Sequence, residues 1–256
     1  MWSRAQLKYR AKAVLRESYW RAFIITLVPA LLLGGNAASH GAQNHGDSSS
    51  AAYYWHNGGS QAFDSAWRIV LPFLPLFLGG MAVLSLLGLA LSVCVKLPLE
   101  VGVRRYFLES TQYRFSMGEL FYGFTCGGYG NLVGTMLLRA VYNALWYLLL
   151  VIPGIVKSYA YSMVPYILAE NPHISASRAI TLSRDMTRGH RLDMWVLDLS
   201  FVGWYLLGTL ALGIGVLFVN PYPYATHAEL YVTLRSQAID RGMTSLDELS
   251  PPAFGR

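Results

Sequence analysis

The chain has 256 residues, 54% of them hydrophobic and only 13% charged, about half the charged share of an ordinary soluble domain. A soluble fold of this length would need far more polar surface, so the composition argues against one and for an integral membrane protein. Lys and Arg outnumber Asp and Glu by 20 to 14, and the surplus sits in a few segments. That is the pattern of a cytoplasmic membrane face, and no DNA- or RNA-binding motif makes nucleic acid an expected partner.

Residues 3–21 read as a basic amphipathic helix. Arg4, Lys8, Lys12 and Arg16 recur at every fourth position and form one stripe, while Leu7, Ala11, Val14 and Ser18 line another face. Beside a bilayer, such a helix is expected on the cytoplasmic side against anionic lipid, with part of its apolar face on the membrane. Residues 23–33 continue it as an uncleaved first span, with Tyr19 and Trp20 as an interfacial belt. The loop 36–66 contains no Lys or Arg and is assigned to the outside. Its His40, His45 and His56 match no metal-site spacing and read as solvated.

Residues 69–95 form a second span, with Pro72 and Pro75 predicting a kink near its outer end. The mixed charges of 96–130 mark a second cytoplasmic segment, and the glycines of 118–130 read as a loop. They lack the strand-then-helix setting of a nucleotide-binding loop. Cys94 and Cys126 set no disulfide framework. A third span is expected over 131–152, ended by Pro153 and Gly154, with a short returning span over 155–169. Asn171 and Pro172 read as the start of a cytoplasmic amphipathic helix spanning 173–190. Ala179, Leu182 and Met186 would share its apolar face, opposite Arg178 and Arg188, with Arg184 beside them. Residues 194–219 are apolar throughout, followed by a polar tail over 236–256. If the run breaks near Gly213 and Gly215, a sixth crossing returns through Pro221 and Pro223, which charge bias favours.

The fold expected is all-α: one integral membrane domain over 1–256, a polytopic transmembrane bundle of about five to six spans with basic amphipathic interfacial helices. Ionisable residues inside a bilayer cost a few kcal/mol each on insertion scales, so they are default functional candidates. Arg139 and Asp198 are placed in the third and fifth spans as a candidate polar pair, with Glu170 at the interface. No Ser/His/Asp arrangement, HExxH or Walker loop is present, so no enzyme, cofactor or metal is expected. The partners expected are the phospholipid bilayer, anionic lipids through Arg4, Lys8, Lys12, Arg16, Arg178, Arg184 and Arg188, and a membrane protein partner or a second copy. The runner-up reading is a small transporter or permease built on the proline-broken third and fourth spans and Arg139.

The stretch 145–163 (LWYLLLVIPGIVKSYAYSM), with Pro153 and Gly154 at its centre, resembles the hallmark of the bacterial membrane family catalogued as domain of unknown function 975. So do 166–172 (YILAENP, containing Glu170, Asn171 and Pro172), Ala179-Ile180 with Ser183 and Gly189-His190, 212–215 (LGIG) and 219–222 (VNPY). A fainter likeness is to the membrane domain found beside glycerophosphodiester phosphodiesterases. The resemblance implies a multi-pass protein of the bacterial plasma membrane, and the charge pattern puts its N-terminus in the cytoplasm. It implies no activity.

Overall fold

The computed structural model describes residues 2–33, 74–210 and 215–249, and every regular element among them is helical. The 36–66 loop with its three histidines, Pro72, Gly213 and the tail beyond residue 249 lie outside the described residues. The chain divides into two compact units, Leu33–Cys94 and a larger one made of Met1–Leu32 and Val95–Arg256.

Helix α1 (Arg4–Leu33) joins the basic leader and the first apolar run in one element. It bends at Ser18, which leaves helical geometry (φ −130°, ψ 18°) while its hydroxyl donates to the Val14 carbonyl at 3.0 Å. A serine bonded back to the preceding turn is a known cause of helix bending. Leu7, Ala11, Val14 and Ser18 are all buried within the larger unit. The apolar face expected on lipid is therefore taken up by protein, at about 1.5–3 kcal/mol for each large aliphatic side chain in an aqueous reference.

Helix α2 (Leu74–Ser110) runs for 37 residues. Most of its described side chains up to Lys96 are exposed, whereas 98–108 are largely buried, and Pro98 stands at the change. The segment after it is more ordered than the loop expected from its glycines: a 3₁₀ turn (Met117–Phe121), then a short helix α3 (Tyr122–Thr125). Gly102 and Gly123 are there for close approach. A Cβ on Gly102 would overlap the Leu120 carbonyl oxygen, and one on Gly123 would overlap the Pro98 carbonyl.

Helix α4 (Tyr129–Leu149) ends at Leu150, which is extended (φ −161°, ψ 141°), and α5 (Val151–Ala160) starts at once. The break therefore precedes Pro153, which falls in the first turn of α5 where its missing N–H costs nothing. Gly154 lets the hairpin close, since a Cβ there would stand 2.6 Å from the Tyr147 ring. The returning span expected over 155–169 is not one helix. A turn at 161–163 separates α5 from α6 (Val164–Glu170), and every residue of α6 is buried. This stretch is core rather than lipid-facing, with Tyr166 stacked on Tyr231 at 5.1 Å.

Asn171 ends α6 and does not start a helix, and Pro172 lies in the following turn. The basic helix α7 (Ala176–Met186) begins after Ser175 and is shorter than the 173–190 expected. Its Ala179, Leu182 and Met186 are buried, so this apolar face also packs on protein. Helix α8 (Arg191–Leu210) is followed by α9 (Gly215–Val219) and α10 (Pro221–Asp240). Gly208 lies against Gly215 and Val216, Phe201 meets Tyr222 edge to face at 5.2 Å, and Asp198 meets His227. These pairings step in opposite directions along the two segments, so the chain doubles back between α8 and α9. The tail's start is folded too, with a short helix α11 (Leu246–Leu249) whose Leu249 is fully buried.

Two described helices, α2 and α4, are long and apolar enough to cross a bilayer. In the larger unit several of the barest apolar side chains lie at the α4–α5 connection and in the second half of α8, Leu148 at 86% exposed, Ile152 at 77% and Leu210 at 87%, while Leu192 at the start of α8 is 78% exposed.

Candidate functional site

A polar cluster beside a cavity joins α2, α5, α6, α8 and α10. Asp198 is its centre: the Tyr159 hydroxyl donates to one carboxylate oxygen at 2.8 Å, and His227 Nε2 lies 2.7 Å from the other. Arg104 on α2 donates to the Tyr166 hydroxyl at 3.2 Å and lies over the rings of Tyr166 and Tyr224, 5.2 and 4.6 Å from their centres. Between them is a cavity of about 320 Å³ lined by Arg104, Asp198, Tyr205, Tyr224 and His227 among others. It presents one cation, one carboxylate bridged to an imidazole, and two tyrosine rings, a set suited to holding a small polar solute. Among the described residues no group of three or more His, Cys, Asp or Glu side chains could hold a metal ion.

The expected Arg139–Asp198 pair does not form. Arg139 on α4 faces α2, where its Nη1 donates to Glu100 at 3.4 Å, while Asp198 faces α5 and α10. A common cytoplasmic side of the third and fifth spans allowed the pairing, but the faces of α4 and α8 point these groups at different neighbours. His227 and Tyr159 escaped sequence reasoning. A signal existed for the first: Tyr224, His227 and Tyr231 recur at i, i+3 and i+7, one polar-aromatic stripe on α10.

The hairpin motif residues prove architectural. Glu170 is paired with Arg235 and accepts the Tyr231 hydroxyl at 2.7 Å, deep in the core. The Asn171 amide donates to the Glu248 carbonyl at 2.8 Å, and its own oxygen accepts the His173 N–H at 2.9 Å. The Asn131 amide holds the same turn by donating to the Pro172 and Ile174 carbonyls at 2.8 and 2.7 Å. Close packing brings Pro172 against Gly128, where a Cβ would stand 2.9 Å from the Pro172 oxygen.

The seven basic residues expected on a shared surface separate into two groups. Arg178 is already engaged: it grips Glu248 through Nε and Nη2 at 2.6 and 2.9 Å and donates to the Met243 carbonyl at 2.7 Å. The hydrogen bonds from Arg178 and Thr244 hold the Glu248 carboxyl below its ordinary range, and the Arg178 guanidinium is correspondingly raised. Lys8 donates to Ser200 at 2.6 Å and sits over the Phe201 ring at 4.6 Å. Partial burial, then the charges of Lys12 and Arg4, lower its pKa. Arg4, Lys12 and Arg16 on α1 are exposed, as are Arg184 in the last turn of α7 and Arg188 in the turn after it.

The described part of the molecule is thus an all-helical protein with bare apolar helix ends and a polar cluster between its helices. Residues 129–238 match the family model described as "Protein of unknown function (DUF975)", so this segment, from α4 through most of α10, carries the resemblance read from the sequence. No curated protein and no solved structure matches the chain. The fainter likeness to the membrane domain beside glycerophosphodiester phosphodiesterases is not among the matches.

Proposed function

We propose that this is a non-catalytic, multi-pass protein of the bacterial plasma membrane with its N-terminus in the cytoplasm. Its basic cytoplasmic surface engages anionic lipid or a membrane partner in organising or regulating the envelope. The observation that carries the reading is the bare leucine and isoleucine side chains at the α4–α5 connection and the end of α8; the length and apolar character of α2, taken by itself, agree with it. Contiguous apolar surface of that kind is a liability in water and the ordinary condition of a helix in lipid. Six crossings are the count we favour, because the chain doubles back between α8 and α9 and returns through α10. The working surface is narrower than composition implied: Arg4, Lys12 and Arg16 with Arg184 and Arg188, since Arg178 holds the tail.

The test is thiol accessibility in the full chain, with Cys94 and Cys126 replaced by Ala and a reporter at the exposed Leu246. Labelling only after permeabilisation is the expected result and gives an even number of crossings. Labelling in intact cells overturns the six-span topology, and recovery of the chain in the soluble fraction overturns the membrane reading itself.

A second reading, a small transporter or permease, now draws on the cavity at Asp198 and His227 rather than on Arg139, which is tied to Glu100. Proteoliposomes holding the wild-type chain should then show solute flux that Asp198→Asn abolishes. No flux across a broad panel of small polar solutes counts against it.

A further inference from the structure

Side chains of α1, α8, α9 and α10 line an open cleft of about 490 Å³ that differs in kind from the polar cavity at Asp198. Lys12, Arg16, Tyr19, Trp204, Phe218 and Tyr222 are its principal lining residues. Its two ends are chemically opposite. Lys12 and Arg16 stand exposed at one end, Lys12 5.7 Å from the centre of the Tyr222 ring. At the other end Phe218 stacks on Phe23 at 4.7 Å, and the Tyr19 hydroxyl donates to the Phe218 carbonyl at 3.0 Å. Lys12 to Phe23 covers about 16 Å of helix at 1.5 Å per residue, with the Ser18 bend between them. Trp204 and Phe218 are about half exposed, so the apolar end opens onto the bare flank of α8.

We propose that this cleft is a binding site for one anionic phospholipid, its phosphate between Lys12 and Arg16 and its acyl chains along Trp204 and Phe218. The inference rests on the membrane reading above and deepens it, by separating a site from a merely charged surface. Charge complementarity selects the occupant. Two cations with no carboxylate among the lining residues suit a phosphate, and the aromatic wall beyond suits hydrocarbon. A polypeptide would leave the apolar end, open to the flank of α8, without a matching chain. The order of charge, tyrosine and apolar ring along α1 is also the order of phosphate, glycerol and acyl chain through one leaflet.

The experiment uses the full chain in nanodiscs of mixed phosphatidylglycerol and phosphatidylcholine, with lipids retained after mild delipidation counted by native mass spectrometry. The expected result is about one phosphatidylglycerol held per chain in preference to phosphatidylcholine. Retention should fall by about thirtyfold in a Lys12→Gln/Arg16→Gln variant, the scale of two basic side chains at an anionic surface. Phe218→Ala should weaken retention of both lipids alike, and Arg114→Gln/Arg241→Gln, at two exposed basic residues outside the lipid-facing surface, should leave it unchanged. Equal loss in the two charge variants, or no preference for phosphatidylglycerol in the wild type, overturns the site while leaving the membrane reading intact. So does a polypeptide found on the cleft in place of lipid. Failure of the chain to enter nanodiscs at all overturns both. The circular dichroism of each variant, unchanged from wild type, shows that a lost lipid is not a lost fold.

Discussion

Replacing Glu170 separates an architectural role from a functional one for the acidic residue of the hairpin motif. Its side chain is 3% exposed and that of its partner Arg235 18%, and Tyr231 donates to the second carboxylate oxygen at 2.7 Å. Breaking a buried ion pair by removing one partner costs about 3–5 kcal/mol, because the other charge is left uncompensated. Glutamine preserves an acceptor for Tyr231, a hydrogen bond contributing about 1 kcal/mol. Glu170→Gln is therefore expected to destabilise by about 2–4 kcal/mol, and Glu170→Ala to lie near the top of the range for a broken pair. In Glu170→Gln/Arg235→Gln no orphaned charge remains, so the double variant should be more stable than the sum of the singles by about 1–3 kcal/mol. Denaturant unfolding of the full chain in detergent, followed by near-ultraviolet circular dichroism, reads wild type, the three single variants (Arg235→Gln among them) and the double. If Glu170→Gln unfolds within about 0.5 kcal/mol of wild type, the scale of a neutral surface change, or the two substitutions simply add, the pair does not hold the core.

Gly102→Ala and Gly134→Ala should change stability in opposite directions. A Cβ at 102 overlaps the Leu120 carbonyl, an overpacking cost of about 1–3 kcal/mol, whereas at 134 it meets nothing within 4 Å and gains up to about 1 kcal/mol of helix propensity. Equal thermal shifts for the two would show that the approach at Gly102 is not tight. Glu248 has its pKa lowered from 4.5, chiefly by the hydrogen bond from Arg178. A depressed carboxyl contributes stability in full above its ordinary pKa and loses it as pH falls through the lowered value. Hydrogen exchange over 243–249 should thus show steady protection from pH 8 to about 5 and a loss below about 4, and Arg178→Gln should abolish that dependence. Finally, a double-mutant cycle on Asp198 and His227 should show coupling of about 1–3 kcal/mol, while one on Asp198 and Arg139 should be additive within about 0.5 kcal/mol. Coupling in the second cycle would restore the pair that the structure separates.

Composition and periodicity determined a good deal without any coordinates: the all-helical class, the apolar run through 145–152, the break beside Pro153, and a basic helix after residue 173. These are local matters, set by hydrophobic spacing, by proline's missing donor and by charge, and each can be read from a window of a few turns. What lay beyond the sequence is which neighbour each face meets. Leu7, Ala11 and Val14, like Ala179, Leu182 and Met186, form stripes that would suit lipid or protein equally, and only the packing of α1 and α7 assigned them to protein. The same limit governed Arg178, whose partner lies 70 residues along the chain, and Asp198, whose partners Tyr159 and His227 lie 39 and 29 residues away on opposite sides of it. Hydrophobicity is non-directional and a charge accepts any opposite charge within reach. Amphipathic helices therefore declare that they have two faces, and tertiary structure decides what each face touches.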